Sequence, residues 1–378
     1  LAPVCRPPVL RAIGAPVAIV PDSGSSDSLG RLARSAVGRQ VVTLGGREEL
    51  RERILEMQVR THSLGLVGPI GTVRAVSRVQ KLVERNGIAL VHGFGAWGGA
   101  VAQLAAPKDV AIVRSVSRPP NHEKDLRGRA LRWLERRARS RHRTRFIVPN
   151  EGSRGLAIRA YSAADGHVEV LPRSVDVSAV RDRVRRETRE GARRLMGIEE
   201  GQVAFALVTN FDSGSAMDRL LTGLSLARRE LPRMRVFMVG SGRYEGSTRW
   251  KAEELDMGDS IVFLGRGTEA GPIWGAADFA IDATPWASWS RAALIAIGAG
   301  LPTLKLQEGV GGWSEDAGES LPMVSGHPER LAADLVRLAS DEALRSEVLA
   351  HGARVSEEVD VGNVVERLGA LYRSILTR

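Results

Sequence analysis

Hydrophobic residues in this chain occur as short continuous runs, separated by longer stretches in which apolar residues recur at helical spacing. The short runs are typical of strands buried on both faces, and the longer stretches are typical of amphipathic helices. Strands are predicted over 17–20, 41–44, 65–68, 88–91, 110–113, 145–148, 168–171, 203–208, 236–240, 261–265, 279–282 and 303–306. Helices are predicted over 29–37, 48–58, 72–85, 100–105, 216–229, 291–297, 328–339, 341–358 and 364–376, with one more between 148 and 168. This alternation predicts parallel βαβ units in open, doubly wound α/β sheets.

The alternation runs through the chain twice, with an arginine-rich stretch between the two passages. A chain of 378 residues is long enough for two domains. We predict an amino-terminal Rossmann-like domain over 1–171, a carboxyl-terminal one over 172–358, and a last helix within 359–378 that crosses back to the first domain. Ligands of open α/β sheets bind outside the carboxyl ends of the strands, so the expected site is a cleft that the two domains face.

The formal net charge is +10, and arginine supplies most of the basic residues. This excess favours anionic partners such as nucleotide diphosphates or acidic lipid headgroups, and a solvated basic face explains it equally well. Aromatic residues make up only 4% and no nucleic-acid-binding motif is recognised, which argues against nucleic acid as a partner.

Cysteine and histidine give no sign of a metal site. Cys5 is the only cysteine, and the seven histidines are scattered, so neither an intramolecular disulfide nor a cysteine zinc cluster is expected. No apolar run reaches the ~18 residues that a membrane-spanning helix needs, and no secretory signal is recognised. We therefore expect a cytoplasmic protein with no metal and no cofactor of its own.

The segment 125–145 holds nine arginines and one glutamate. Its apolar residues form one stripe at helical spacing: Leu126, Ala130, Trp133, Leu134 and Ala138. A basic amphipathic helix predicts binding to an anionic membrane surface, here the inner face of the membrane. The alternative is an ordinary helix that packs its stripe on the sheet, and sedimentation with neutral and anionic liposomes separates the two.

Several short motifs follow one another in the order and spacing of a known family. The family's PNGVD, GDGP, FLG and AMAxGxPV motifs correspond to Pro172–Asp176, Gly240–Arg243, Phe263–Gly265 and Ala296–Thr303, and the amino half matches more loosely at Leu90–Gly93 and Phe146–Val148. The chain thus resembles the GT-B glycosyltransferases of family four, which transfer sugars from nucleotide donors with retention. The resemblance implies a nucleotide-sugar donor on the carboxyl-terminal domain and an acceptor, lipid-linked or polysaccharide, on the amino-terminal one.

The chain departs from the family where donor contacts are charged. The arginine and lysine of the family's GRLxxxKG loop correspond to Asn210 and Ser215, and its two glutamates, eight residues apart, correspond to Ala287 and Ile295. A histidine usual after the 110–113 strand is also missing, and Ser117 lies near its place. Each lost charged contact weakens binding by a few kcal/mol unless another group replaces it.

A replacement is predicted where the helix at 291–297 begins. Free backbone N–H groups and a serine cap at Ser290 suit an anion, and a bound phosphate would make Arg291 more favourable in the first turn. A plain surface arginine is the alternative. The candidate donor-binding residues are Gly240, Gly242, Arg266, Ser288, Trp289, Ser290 and Arg291.

A literal GxGxxG motif spans Gly93–Gly98, between a strand and a helix. The motif follows a later strand and lacks the acidic residue expected about 20 positions on, so a dinucleotide site is the weaker interpretation. Arg114 and Arg118, which lie nearby instead, leave NADP as the form of that site. The other interpretation is a glycine-rich loop at the acceptor or sugar, with His92 as a polar contact or as a structural histidine. The candidate acceptor-side residues are His92, Gly93, Gly95 and Trp97. For each tryptophan, loop packing competes with stacking on a sugar ring or base.

Three functions follow from these observations. The first is a glycosyltransferase that uses a nucleotide sugar, and the second is a catalytically inactive relative that keeps the site for binding or scaffolding. The third is an NADP-dependent oxidoreductase. A shift of the melting temperature by a nucleotide or nucleotide sugar distinguishes the first function from the second, and cofactor fluorescence would reveal the third class.

Overall fold

The computed structural model describes residues 17–20, 40–43, 60–63, 68–116, 144–161, 163–211, 213–265, 271–284, 289–307 and 323–377. The chain divides into two compact units. The amino-terminal unit comprises 1–174 together with 361–378, and the carboxyl-terminal unit comprises 175–360. Each unit contains one parallel sheet, so the predicted α/β class is confirmed.

The sheet of the amino-terminal unit has seven strands in the order β3-β2-β1-β4-β5-β6-β7, all parallel. Its strands are β1 (Val17–Val20), β2 (Gln40–Thr43), β3 (Arg60–Ser63), β4 (Leu90–Phe94), β5 (Ala111–Ser115), β6 (Thr144–Val148) and β7 (Val168–Val170). Its helices are α1 (Gly68–Arg85), α2 (Gly95–Ala105) and α3 (Gly152–Tyr161), joined by the last helix of the chain, α12 (Val361–Leu376).

The sheet of the carboxyl-terminal unit has six parallel strands in the order β10-β9-β8-β11-β12-β13. Its strands are β8 (Val203–Val208), β9 (Met234–Val239), β10 (Ile261–Gly265), β11 (Phe279–Asp282), β12 (Thr303–Gln307) and β13 (Met323–Ser325). Its helices are α4 (Val177–Val184), α5 (Arg189–Leu195), α6 (Gly214–Glu230), α7 (Glu245–Glu254), α8 (Ile273–Ala276), α9 (Arg291–Gly298), α10 (Pro328–Ser340) and α11 (Glu342–Val359).

The central strands β4, β5, β8 and β11 are buried, as their continuous apolar runs require. In the carboxyl-terminal unit, one core lies under α6 and α10 and another under α5, α8 and α9. In the amino-terminal unit, α12 places Val365, Leu368 and Tyr372 against the apolar residues Leu90 and Val113 of the central strands. The last helix therefore completes a core whose strand residues lie more than 200 positions earlier in the sequence.

Two strand predictions need correction. Of the strand expected at 65–68, only Gly68 is described, and it begins α1 instead; the edge strand β3, the polar sequence Arg60–Ser63, was not predicted. The short strand β13 was not predicted. The predicted helices at 29–37, 48–58 and most of 125–145 lie outside the described residues.

Two further properties concern the described part of the chain alone. None of its helices is long and apolar enough to span a bilayer. No group of three or more His, Cys, Asp or Glu side chains there is arranged to hold a metal ion.

Candidate functional site

The strand order of the carboxyl-terminal sheet reverses between β8 and β11. From β8 the chain proceeds outward through β9 and β10, whereas β11, β12 and β13 extend the other way. Val208 and Asp282 pair in register, so the two strands end level with each other. Ligands of doubly wound sheets bind at such a reversal, at the carboxyl ends of the strands. The candidate site is therefore built from the segments that follow these two strands.

The segment after β8 is in direct contact with the segment after β9. A Cβ on Gly240 would overlap the carbonyl oxygen of Thr209, and one on Gly242 would overlap that of Asn210. Gly240 also has a φ of +140°, a conformation that only glycine adopts readily, and its N–H donates to Gly265 O at 3.0 Å. Gly240 thus permits close approach of two backbones, and its own N–H is engaged within the protein.

Phe211 lies in the left-handed region with a φ of +48°, which is unusual for a residue that is not glycine. Its side chain is buried and stacks on Phe263, and its N–H donates to Thr209 Oγ1 at 3.3 Å. Such conformations persist only where the surroundings enforce them, and they concentrate at ligand sites. Asn210, in the position of the family's arginine, is partly exposed in this segment, which leads into the Ser213 cap of α6.

The carboxyl end of β11 carries a buried ion pair. Asp282 Oδ2 lies 3.1 Å from Lys305 Nζ on the adjacent strand β12 and accepts the backbone N–H of Ser290 at 2.7 Å. Asp282 Oδ1 accepts from Thr284 N and Thr284 Oγ1, and Lys305 Nζ also donates to Thr284 O. Both charged side chains are therefore fully hydrogen-bonded, as their burial requires.

The start of α9 follows directly from this ion pair. The side chain of Ser290 caps the helix, accepting from Ala293 N at 3.1 Å, and the first intrahelical bond is from Leu294 N to Ser290 O. The N–H groups of Arg291 and Ala292 precede that bond, so the helix itself supplies no acceptor for them. Burial lowers the pKa of the Arg291 guanidinium. A half-buried cation at a helix amino terminus is disfavoured twice, by desolvation and by the helix dipole, and a bound anion relieves both.

The other donor-side predictions meet different outcomes. Trp289 is buried among the apolar residues of α4, α9 and α11, which favours loop packing over stacking on a ligand. Ile295, at a glutamate position of the family, packs against the same helices. Arg266, Ala287 and Ser288 lie outside the described residues.

The amino-terminal sheet reverses between β1 and β4, and His92 lies near the carboxyl end of β4. The imidazole is buried, with Nδ1 2.5 Å from Tyr372 Oη on α12 and Nε2 2.8 Å from Ser115 Oγ on β5. Phe94 stacks on the ring at a centroid distance of 3.9 Å. This environment favours the structural role over direct contact with an acceptor.

The GxGxxG motif begins at the end of β4 and runs into α2, as a strand–turn–helix fingerprint requires. A Cβ on Gly93 would lie 2.5 Å from Gly98 O, so this glycine lets the helix approach the strand. Gly95 begins α2 with a positive φ of 68°, and Trp97 is only partly buried against Ala100.

Arg114, which the NADP interpretation placed near a phosphate, is buried beneath Gly99 and donates to Gln103 Oε1 at 2.7 Å. One of the two arginines of this interpretation is thus part of the core, and the other, Arg118, lies outside the described residues.

We expect Tyr372→Phe to destabilise the amino-terminal unit by about 1–2 kcal/mol, because it removes the buried hydrogen bond between Tyr372 Oη and His92 Nδ1. Urea denaturation of the full chain measures the effect. Ser374→Ala on the same helix is the control, since its exposed hydroxyl bonds only to Leu371 O. Equal stability of the two variants would show that the His92–Tyr372 bond contributes nothing.

Known proteins share this fold. Residues 25–179 match the family model described as Glycosyltransferase Family 4. A glycosyltransferase from Rickettsia africae ESF-5 superposes with a TM-score of 0.72 at 12% identity, covering 96% of this chain and 98% of that one. Anabaena Alr3699/HepE, solved in complex with UDP, gives 0.74 at 14% identity, covering 95% and 99%. Sucrose-phosphate synthase from Thermosynechococcus elongatus gives 0.71 at 15%, covering 96% and 99%. A search of curated protein sequences finds no match.

The chain has the fold of GT-B glycosyltransferases. The family match over 25–179 and the structural neighbours confirm the resemblance inferred from the motifs. Three glycines of the carboxyl-half motifs lie at or next to the ends of regular elements. Gly240 follows β9, Gly265 ends β10, and Gly298 ends α9.

Proposed function

We propose that the protein transfers a sugar from a nucleotide-activated donor to an acceptor, with the donor bound at the carboxyl-terminal unit. The observation that carries this proposal is the start of α9, where Ser290 and the half-buried Arg291 lie beside the reversal point of a GT-B sheet. Structural neighbours solved with UDP and with UDP-glucose support a nucleoside diphosphate sugar as the donor class.

In this proposal the first N–H groups of α9 and the Arg291 guanidinium stabilise the diphosphate as it departs. Charge develops on the leaving oxygens in the transition state, and fixed dipoles and cations aimed at that position lower the barrier. Such neutralisation requires no metal, and we propose none, nor a cofactor besides the donor itself. Arg291 would thereby compensate in part for the uncharged Asn210 and Ser215.

Arg291→Ala is expected to weaken binding of the donor nucleotide about tenfold or more, because a hydrogen bond to a charged group contributes roughly 1.5–3 kcal/mol. Isothermal titration with UDP, GDP and ADP measures the change. Arg194→Ala is the matched control, since Arg194 is an exposed arginine of the same unit on α5 and its loss changes the net charge equally. Unchanged affinity of Arg291→Ala would remove Arg291 from the donor site.

A catalytically inactive binding protein is the second candidate, and a specific observation favours it. Four charged donor contacts of the family are replaced here by Asn210, Ser215, Ala287 and Ile295. Release of nucleoside diphosphate from nucleotide sugars, assayed together with thermal shift, distinguishes the candidates. Binding without any turnover, with water or with added glycan and lipid-linked acceptors, identifies the inactive relative.

We also propose that the reaction takes place at the cytoplasmic side, on a lipid-linked or polysaccharide acceptor. The basic amphipathic sequence of 125–145 supports docking on an anionic membrane. A structural neighbour, WaaG, is a glycosyltransferase involved in lipopolysaccharide biosynthesis. Sedimentation with anionic but not with neutral liposomes is the expected result.

A further inference from the structure

The buried pair of Asp282 and Lys305 is connected to the start of α9 by a single hydrogen bond. Asp282 Oδ2 accepts the N–H of Ser290 at 2.7 Å, and Ser290 is the residue whose hydroxyl caps the helix. The same carboxylate holds Thr284 through both its N–H and its hydroxyl. Asp282 thus fixes the chain on either side of residues 285–288.

Lys305 fixes the carboxylate in turn. Its Nζ lies 3.1 Å from Asp282 Oδ2 and donates to Thr284 O at 2.9 Å and to Thr284 Oγ1 at 3.1 Å. Asp282 ends β11 and Lys305 lies within β12, and the two residues pair in register. Both partners are thus held by the sheet, so the Ser290 contact is made from a rigid base.

A pair this deeply buried is seldom a source of net stability, because desolvation of two charges offsets their attraction. A different role is therefore needed to account for these charges, and the Ser290 contact supplies one: the pair determines where the first turn of α9 lies.

We infer that Asp282 is a positioning residue for the donor diphosphate, acting through the Ser290 N–H to hold the amino terminus of α9 and Arg291 in their binding geometry, with Lys305 orienting its carboxylate. This inference rests on the proposed function. Neither Asp282 nor Lys305 contacts the ligand in this role.

Two double variants separate positioning from stability. In Asp282→Leu/Lys305→Met, the charges are removed together and no acceptor remains for Ser290 N–H. In Asp282→Asn/Lys305→Met, the charges are also removed, but the amide oxygen of asparagine still accepts from Ser290. The test measures the Tm of both variants and their affinity for whichever of UDP, GDP and ADP raises the wild-type Tm most.

The inference predicts different affinities for the two double variants, measured where both are folded, and a lower Tm for the Leu/Met variant, because its Ser290 N–H has no acceptor. The Leu/Met variant is expected to bind the nucleotide at least tenfold more weakly than wild type, and the Asn/Met variant within about threefold of it. A purely structural pair would give equal affinities in the two variants, and that result overturns the inference.

Amide hydrogen exchange gives a readout that needs no ligand. In the wild-type protein the Ser290 N–H is expected to exchange at least tenfold more slowly than that of Ala292, and this protection is expected to survive in the Asn/Met variant. Fast exchange at Ser290 in the wild type refutes the contact, even if the Leu/Met variant does not fold. If the wild type binds none of the three nucleotides, the proposed function fails, and exchange still decides whether Asp282 holds the helix start.

Discussion

Lys305→Met alone is expected to lower the free energy of unfolding of the carboxyl-terminal unit by about 3–5 kcal/mol. The substitution keeps an unbranched side chain of similar length but leaves Asp282 charged and buried without its cation. Urea denaturation followed by intrinsic fluorescence measures the loss. Adding Asp282→Leu to Lys305→Met is expected to restore part of it, because the remaining charge is then removed, while the donors of Thr284 and Ser290 lose their acceptor.

The same change in an exposed pair is the matched control. Lys251 and Glu254 are also 3.1 Å apart, but their side chains are 28% and 47% exposed, against 5% and 0% for Lys305 and Asp282. Exposed pairs contribute roughly 0–1 kcal/mol because water screens and solvates them. Equal effects of Lys305→Met and Lys251→Met would show that burial does not govern the energetics of the Asp282 pair.

Gly240→Ala is expected to destabilise the carboxyl-terminal unit by roughly 4 kcal/mol and to abolish nucleotide binding. The added methyl group would overlap the backbone carbonyl of Thr209, which cannot turn away like a side chain, and the φ of +140° is unfavourable for alanine. The segments after β8 and β9 would have to separate, displacing Phe211. Thermal unfolding and titration with UDP, GDP and ADP measure the two effects.

Gly246→Ala tests whether any glycine in this region behaves in the same way. Gly246 lies in the first turn of α7, and a Cβ there meets nothing within 4 Å. Alanine in a helix loses less conformational entropy than glycine, so this variant is expected to be as stable as wild type or about 0.5–1 kcal/mol more stable. A large loss in Gly246→Ala, or a small one in Gly240→Ala, would contradict the steric argument.

Apolar runs predicted the central strands of both sheets because these strands are buried on two faces and read as continuous hydrophobic sequence. The edge strands were harder. The sequence of β3, Arg60–Ser63, has no apolar residue, and the three-residue β13 gives too short a pattern. Their pairing with a neighbouring strand, and not their composition, makes them strands.

The serine cap and the arginine of α9 were predictable because capping is a local property of adjacent residues. The Asp282–Lys305 pair was not predicted, since it forms between neighbouring strands that only the sheet order brings together. One signal was available: a single charged residue at the end of one apolar run, Phe279–Asp282, and another within a second run, Thr303–Gln307. Such charges are rarely buried without a partner.

The contact between His92 and Tyr372 joins residues 280 positions apart in the chain. It has a consequence for the order in which the protein is completed during synthesis. The carboxyl-terminal unit is one continuous stretch, whereas the amino-terminal unit needs Val365, Leu368 and Tyr372 to fill its core. On the ribosome, the half that emerges first is therefore the half that is finished last.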